Sequence, residues 1–261
     1  MQRLQIVRAL LASVVVVVSG CSSLGDFGTA KPGTETFEVA KAALAVGDFS
    51  ESSRLYERAT EQNPQNAAAF VGLGKSYTAQ RQYSRAENAL ARARELAPRD
   101  VEVFNSLGAL ALHKMHPAEA LKYYDEALRL DRRNLAALNG KAISLDYLSR
   151  HAEAGSVYED AIRLYPTNFA LLNNRALSLV LAGRIGEGTV LLEELIRDAE
   201  RGDTARVNMA IAYALDGRVR EARTMLTGEM SNAEIDAALK HYQSLRQDYL
   251  AGKPIGHLAF L

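Results

Sequence analysis

The chain has 261 residues, 48% of them hydrophobic and 24% charged, and its 31 lysines and arginines balance 31 aspartates and glutamates. That balance gives no electrostatic case for nucleic acid as a general partner, and the single cysteine excludes an intramolecular disulfide. A periodic pattern running through most of the length argues for one solenoid rather than two domains.

At the amino end, Arg3 and Arg8 precede an apolar run from Ala9 to Val18. The run is about half of the roughly 20 residues that span a bilayer, so residues 1–20 read as a signal peptide. Its removal would leave 29 basic against 31 acidic residues, because the segment holds two arginines and no acid. Val18-Ser19-Gly20-Cys21 resembles the lipobox of bacterial lipoproteins, which implies lipidation of Cys21 as the mature amino terminus. Ser22, rather than aspartate, follows the cysteine, and by the same resemblance this implies an outer-membrane lipoprotein facing the periplasm. Several acyl chains would make that anchor stable where one would be marginal. The acylated cysteine and a tether then occupy residues 21–35, where Gly, Ser, Thr and Pro replace any helical period. Fourteen such residues have a root-mean-square span of about 20 Å.

Residues 36–250 carry a period of 34. Counted from Ala67, the stretch to Asp100 places Phe70, Leu73, Gly74, Tyr77, Tyr83, Ala86, Leu90, Ala93 and Pro98 at positions 4, 7, 8, 11, 17, 20, 24, 27 and 32. Large residues at 4, 7, 11 and 24 form helical stripes, small ones at 8, 20 and 27 let helices approach, and the proline ends the second helix. The phase holds upstream through Ala40, Tyr56 and Pro64, and downstream through Gly108, Tyr124, Ala142, Tyr158 and Pro166. A fifth unit is degenerate, with Gly188 at 20, Leu195 at 27 and Glu200 at 32, and a sixth recovers with Ala210, Tyr213, Gly217 and Ala222. This pattern resembles the tetratricopeptide repeat (TPR). The resemblance implies an all-α, right-handed TPR superhelix of about six helix-turn-helix units with a carboxy-terminal capping helix.

Within the second unit, Ala69 to Ser76 matches a relaxed phosphate-loop pattern, the one route by which a nucleotide-binding enzyme could be read here. The same residues supply a first helix with its packing positions, where backbone amides are already spent, so the helix is the expected structure. His113 and His116 are followed by Pro117 and have no acidic or cysteine partner in the pattern, so they read as turn residues rather than metal ligands. No catalytic constellation falls outside the repeat grammar, and no cofactor, metal or small-molecule substrate is expected.

In TPR solenoids positions 2, 5, 9, 12 and 13 of each first helix line the concave face. Asn105, Asn139 and Asn173 fall on position 5 of three successive units, where an amide ladder could hold the backbone of an extended peptide. Asparagine is also common at helix starts, which is the competing explanation. Val71, Lys75, Leu112, Ile143, Tyr147 and Leu177 complete the expected peptide-binding groove, continued by Val180, Leu181, Ile211 and Leu215. An apolar strip of that length marks either a binding site or a surface covered by the chain's own carboxy-terminal end.

Ser231-Asn232-Ala233-Glu234 has the form of a capping box, and Ile235, Leu239, Tyr242, Leu245 and Tyr249 follow at helical spacing. Residues 251–261 form an apolar tail. Arg206, Asn208, Ala210, Ala212, Gly217, Glu221 and Ala222, with Ser231, Ala233, Glu234, Tyr242 and Leu245, resemble the carboxy-terminal segment of the TadD lipoproteins of the Flp (Tad) pilus apparatus. That resemblance, which covers about forty residues, implies a non-catalytic scaffold for pilus assembly whose partner is the Tad secretin or its complex. A peptidoglycan-enzyme adaptor and a barrel-assembly accessory lipoprotein are the alternatives among binding proteins.

Overall fold

The computed structural model describes residues 34–228 and 230–256. The expected signal peptide and lipidated Cys21 lie outside the described residues. Thr34 and Glu35, expected in the tether, instead open the first helix.

The described residues form thirteen helices. Six antiparallel pairs follow in order: α1 (Thr34–Ala45) with α2 (Phe49–Gln62), α3 (Ala67–Ala79) with α4 (Tyr83–Leu96), α5 (Val101–His113) with α6 (Pro117–Leu130), α7 (Leu135–Tyr147) with α8 (His151–Leu164), α9 (Phe169–Leu181) with α10 (Ile185–Leu195), and α11 (Gly202–Leu215) with α12 (Val219–Leu226). The last helix, α13 (Asn232–Leu250), packs on α11 and α12. Helices α3, α5, α7 and α9 begin 34 residues apart, as do α4, α6, α8 and α10, so the sequence period is the structural period.

Four first helices, α3, α5, α7 and α9, begin where an amide or carboxylate closes the free end, whereas α11 starts after Arg201 without a side-chain cap. Asn66, Asn134 and Asn168 accept from the backbone N–H three residues on, and Asp100 from Glu102. Such caps contribute about 1 kcal/mol each. The second helices have no side-chain cap in units 2 to 6; α6 starts on Pro117, whose fixed φ suits a first turn. Between the helices of each pair, one residue at position 15 is left-handed: Gly47, Arg81, Met115, Ser149, Gly183 and Gly217, with φ between 57° and 85°. Glycine takes that conformation without cost, but in the second to fourth units a side chain is held there.

The core follows the small-and-large grammar. Ala86, Ala120, Ala154 and Ala222 at position 20 have no exposed surface, and Leu90, Tyr124, Tyr158 and Leu226 fill position 24. Gly188 takes position 20 in the fifth unit, where a Cβ would meet Val180 and the Ala176 carbonyl. The residue read as degeneracy is therefore the one that lets α10 pack closest to α9. This unit does depart at its end: α10 spans 11 residues where its counterparts in units 2 to 4 span 14.

Candidate functional site

The concave face is built by successive first helices, and it divides into two halves of different character. In the amino-terminal half, α3, α5 and α7 enclose a concavity of about 600 Å³. Its walls are Lys75, Thr78 and Ala79 from α3, Asn105, Ser106, Ala109 and His113 from α5, and Ala136 from α7. Lys75 pairs with Glu102 across the rim. His113 keeps an exposed edge, yet desolvation in the concave wall, and then the positive charge of Arg81, hold its imidazole below the ordinary value.

Two polar atoms on this wall have no partner. Asn105 donates its Nδ2 to Asn134 Oδ1 at 3.0 Å, which fixes the amide and leaves its Oδ1 buried without a donor. Ser106 Oγ beside it is buried and unbonded as well. Both atoms are shut off from the open side of the groove, so the cost of about 1–3 kcal/mol for each falls on the packing between units rather than on a contact with an occupant.

The asparagines expected to form a ligand ladder are tied to the following unit instead. Asn139 Oδ1 accepts from Asn174 Nδ2 at 3.0 Å, and Asn173 Oδ1 accepts from Asn208 Nδ2 at 2.9 Å. Each bond joins position 5 of one unit to position 6 of the next. Position 5 therefore serves the packing between units rather than an open ladder: Asn105 and Asn173 are 6% and 5% exposed and join neighbouring units. Val71 and Leu177, expected in the groove, are core residues at 5% and 1% exposure. Leu112, Ile143 and Tyr147 are half-buried on the concave side, and burial pushes the Tyr147 phenol up.

The carboxy-terminal half is filled from within. Leu177, Val180, Leu181, Ile211 and Leu215 share one buried cluster with Ile235, Leu239, Tyr242 and Leu245 of α13. Arg246 Nε donates to the Leu215 carbonyl at 3.1 Å, pinning α13 to the end of α11. Past α13 the chain turns at Gly252, Ile255 joins the same cluster at 5% exposure, and Gly256 lies against α7. A Cβ on Gly256 would stand 2.6 Å from the Asp146 carbonyl oxygen.

Asp146 itself is fully buried. Its Oδ1 accepts from Ser178 Oγ at 2.9 Å and lies 2.7 Å from His151 Nδ1. Burial raises its carboxyl above the ordinary range, and the bonds from His151 and Ser178 oppose that rise. The carboxylate stands between histidine and serine, so the imidazole has no contact through which to activate the hydroxyl, and the trio joins α7, α8 and α9 as a structural tie. The phosphate-loop-like segment is likewise structural. Ser76 is buried on Ser52 Oγ and the Gly72 carbonyl, and Gly72 and Gly74 make room for Tyr56 and Leu90. Among the described residues no group of three or more His, Cys, Asp or Glu gathers where it could hold a metal ion.

Residues 43–110 and residues 114–169 each match a family of tetratricopeptide repeats. Those two stretches are tetratricopeptide repeats, and the described residues fold as an all-α TPR solenoid. Among solved structures, PilW, a type IV pilus biogenesis factor, superposes with a TM-score of 0.67 at 18% identity over 80% of this chain and 97% of its own. A thermophilic TPR protein of Thermus thermophilus gives 0.63 at 18% identity, over 69% and 98%. PilF of Pseudomonas aeruginosa gives 0.59 at 15%, over 85% and 97%. These likenesses are of fold, an all-α TPR solenoid. No curated protein matches the sequence.

The TPR pattern located the concave positions, and Ala79, Ala109 and Ala136 stand on positions 13, 9 and 2. In the sequence large apolar residues are the signal of a binding face, so these alanines do not stand out, whereas in the structure small residues create the concavity.

Proposed function

We propose that this protein is a non-catalytic scaffold that holds an extended polypeptide segment in the groove between α3, α5 and α7. The observation that carries the reading is the concavity of about 600 Å³ whose walls combine the small residues Ala79, Ala109 and Ala136 with Lys75, Thr78 and His113. An extended segment is narrow enough to lie along such a groove, with its side chains in the space that the alanines leave. The TPR architecture supports the same reading.

By its carboxy-terminal resemblance to TadD, we assign the scaffold to assembly of the Flp (Tad) pilus, with the outer-membrane secretin or its complex as the polypeptide held. The fold it shares with PilW is in keeping with a pilus role. The lipobox at Cys21 supports attachment to the outer membrane, and among the described residues no helix is long and apolar enough to cross a membrane.

The test is a deletion strain. Loss of surface Flp pili and fewer secretin multimers, with normal growth and shape, is the expected result. Intact pili with normal secretin would overturn the assignment. Shape or division defects would indicate a peptidoglycan adaptor, and broad depletion of outer-membrane proteins a barrel-assembly factor. Cys21→Ser should release a folded protein from the outer-membrane fraction; firm retention there would refute the lipid anchor.

A further inference from the structure

We infer that α10 is a self-association face: two copies of this chain pair through antiparallel α10 helices, each seating its Val190 in the hollow over Gly186 of the other.

The repeat itself shows how this face differs from its counterparts. A groove of about 520 Å³ runs between α9 and α10, lined by Arg175, Leu179, Gly186, Glu187, Val190 and Leu191. Three periods earlier, Leu73, Tyr77, Arg85, Asn88 and Ala89 stand at matching positions and line a groove of only about 280 Å³. There the Arg85 guanidinium lies 4.1 Å over the Tyr77 ring and covers the floor. In the fifth unit Leu179 replaces that tyrosine, and Glu187, which replaces the arginine, pairs with Arg184 at 2.6 Å instead. Arg175 is likewise held by Glu159 of α8 at 3.0 Å. The floor is left open, and the charges along its rim are already paired.

Val190 is the second departure. Its counterparts in the other units are Arg54, Asn88, Lys122, Ser156 and Thr224, all polar, whereas Val190 is apolar and 58% exposed. A single exposed valine is ordinary, but one standing on the wall of an open apolar groove is a knob beside a hollow. The hollow lies at Gly186, where a Cβ would meet nothing within 4 Å. Knob and hollow are four residues apart on one helix, so they share a face.

That arrangement selects the occupant. In a two-fold pair the same patch serves both copies, so residue i meets j and j meets i. Antiparallel α10 helices that bring Val190 of one copy to Gly186 of the other fill both hollows at once with side chains the chain itself supplies. The same register brings Glu193 beside Arg184 of the second copy at each end of the contact. Glu193 is exposed and forms no salt bridge among the described residues, so its charge is available. A parallel pair would set Glu193 against Glu193 and Arg184 against Arg184, which like charges disfavour. The 11 residues of α10 are about 16 Å long, so the contact is small and the dimer is of the weak, concentration-dependent class.

The test is photo-crosslinking in cells that express the full chain with Glu194 replaced by p-benzoylphenylalanine. A band of twice the chain's mass should form on a denaturing gel, and mass spectrometry should map the joined residues to the turn around Gly183 of the second copy. Val190→Glu should cut the yield about tenfold, because it sets two unpaired carboxylates into the contact. Gly186→Leu, which fills the hollow, should do the same if the first variant fails to accumulate. Arg184→Glu and Glu193→Arg should each lower the yield, and the two together should restore it. Val46→Glu, at a more exposed apolar side chain on the opposite end of the stack, should leave it unchanged. Absence of the dimer band, crosslinks that map elsewhere, a yield indifferent to Val190→Glu and Gly186→Leu, or no recovery in the double charge reversal would each overturn the inference. Crosslinks to a protein of another mass would assign the groove to a different partner and equally refute self-association.

Discussion

Tyr124 lies so close to Gly140 that a Cβ on the glycine would overlap the phenol ring. The same ring meets Gly108, so one side chain of α6 is clasped between its own first helix and that of the next unit. Gly140→Ala should destabilise by about 1–3 kcal/mol through overpacking, despite alanine's better helix propensity. Urea unfolding checks this, and pairing the change with Tyr124→Leu should recover much of the loss. An alanine variant as stable as wild type would show that the units can slide apart at no cost.

The left-handed residue at position 15 offers an opposite case. Ser149 holds φ 57° in an exposed turn, where glycine avoids a clash costing roughly 1–2 kcal/mol but adds freedom to the unfolded chain. The net gain from Ser149→Gly should be up to about 1 kcal/mol. Thermal unfolding should show a higher midpoint for the glycine variant and a lower one for Ser149→Val.

Asn173→Ala should cost about 1–2 kcal/mol, because it strips the acceptor from buried Asn208 Nδ2 and unties the fifth unit from the sixth. Replacing Asn139, whose bond to Asn174 is only partly buried, should cost less. Denaturant titrations of the two single variants decide it; equal losses would deny any role to burial.

A fourth expectation concerns pH. The folded carboxyl of Asp146 is raised above its unfolded value, chiefly by burial, so between those two values the folded state holds a proton that the unfolded state has released. Stability from this group is greatest below the unfolded value and falls as pH rises through the folded one. Asp146→Asn keeps the acceptor for Ser178 and cannot ionise. Its stability relative to wild type should therefore rise as pH is brought up through the acid range toward neutrality. Melting both proteins across that range tests the sign, and a trend in the other direction would mean that His151 governs the site.

The period of 34 and the residues at positions 8, 20, 24 and 27 made the fold legible before any coordinates, because each position meets the same neighbours in every unit. The site was less legible. A lining position identifies where a side chain starts, while openness depends on what lies opposite: Leu177 occupies a groove position yet is covered by the carboxy-terminal cluster. Asn105, Asn139 and Asn173 were visible as a register, but their partners at Asn134, Asn174 and Asn208 come from the next unit through the angle at which units stack. Gly188 looked like decay of the motif because the sequence does not show how close two helices come.

The two ends of the stack grip unequally. Among its described residues α1 buries a single side chain, Ala40, whereas α13 sets Ile235, Leu239, Tyr242 and Leu245 into the core at the far end. Tension entering at residue 34 therefore meets the weakest hold first, and α1 would peel away ahead of every other helix. Its 12 residues would lengthen from about 18 Å as a helix to about 40 Å drawn out, a gain of about 20 Å before the strain passes to α2. Under such a load the chain would lengthen at α1 first, while the concavity between α3, α5 and α7 kept its shape.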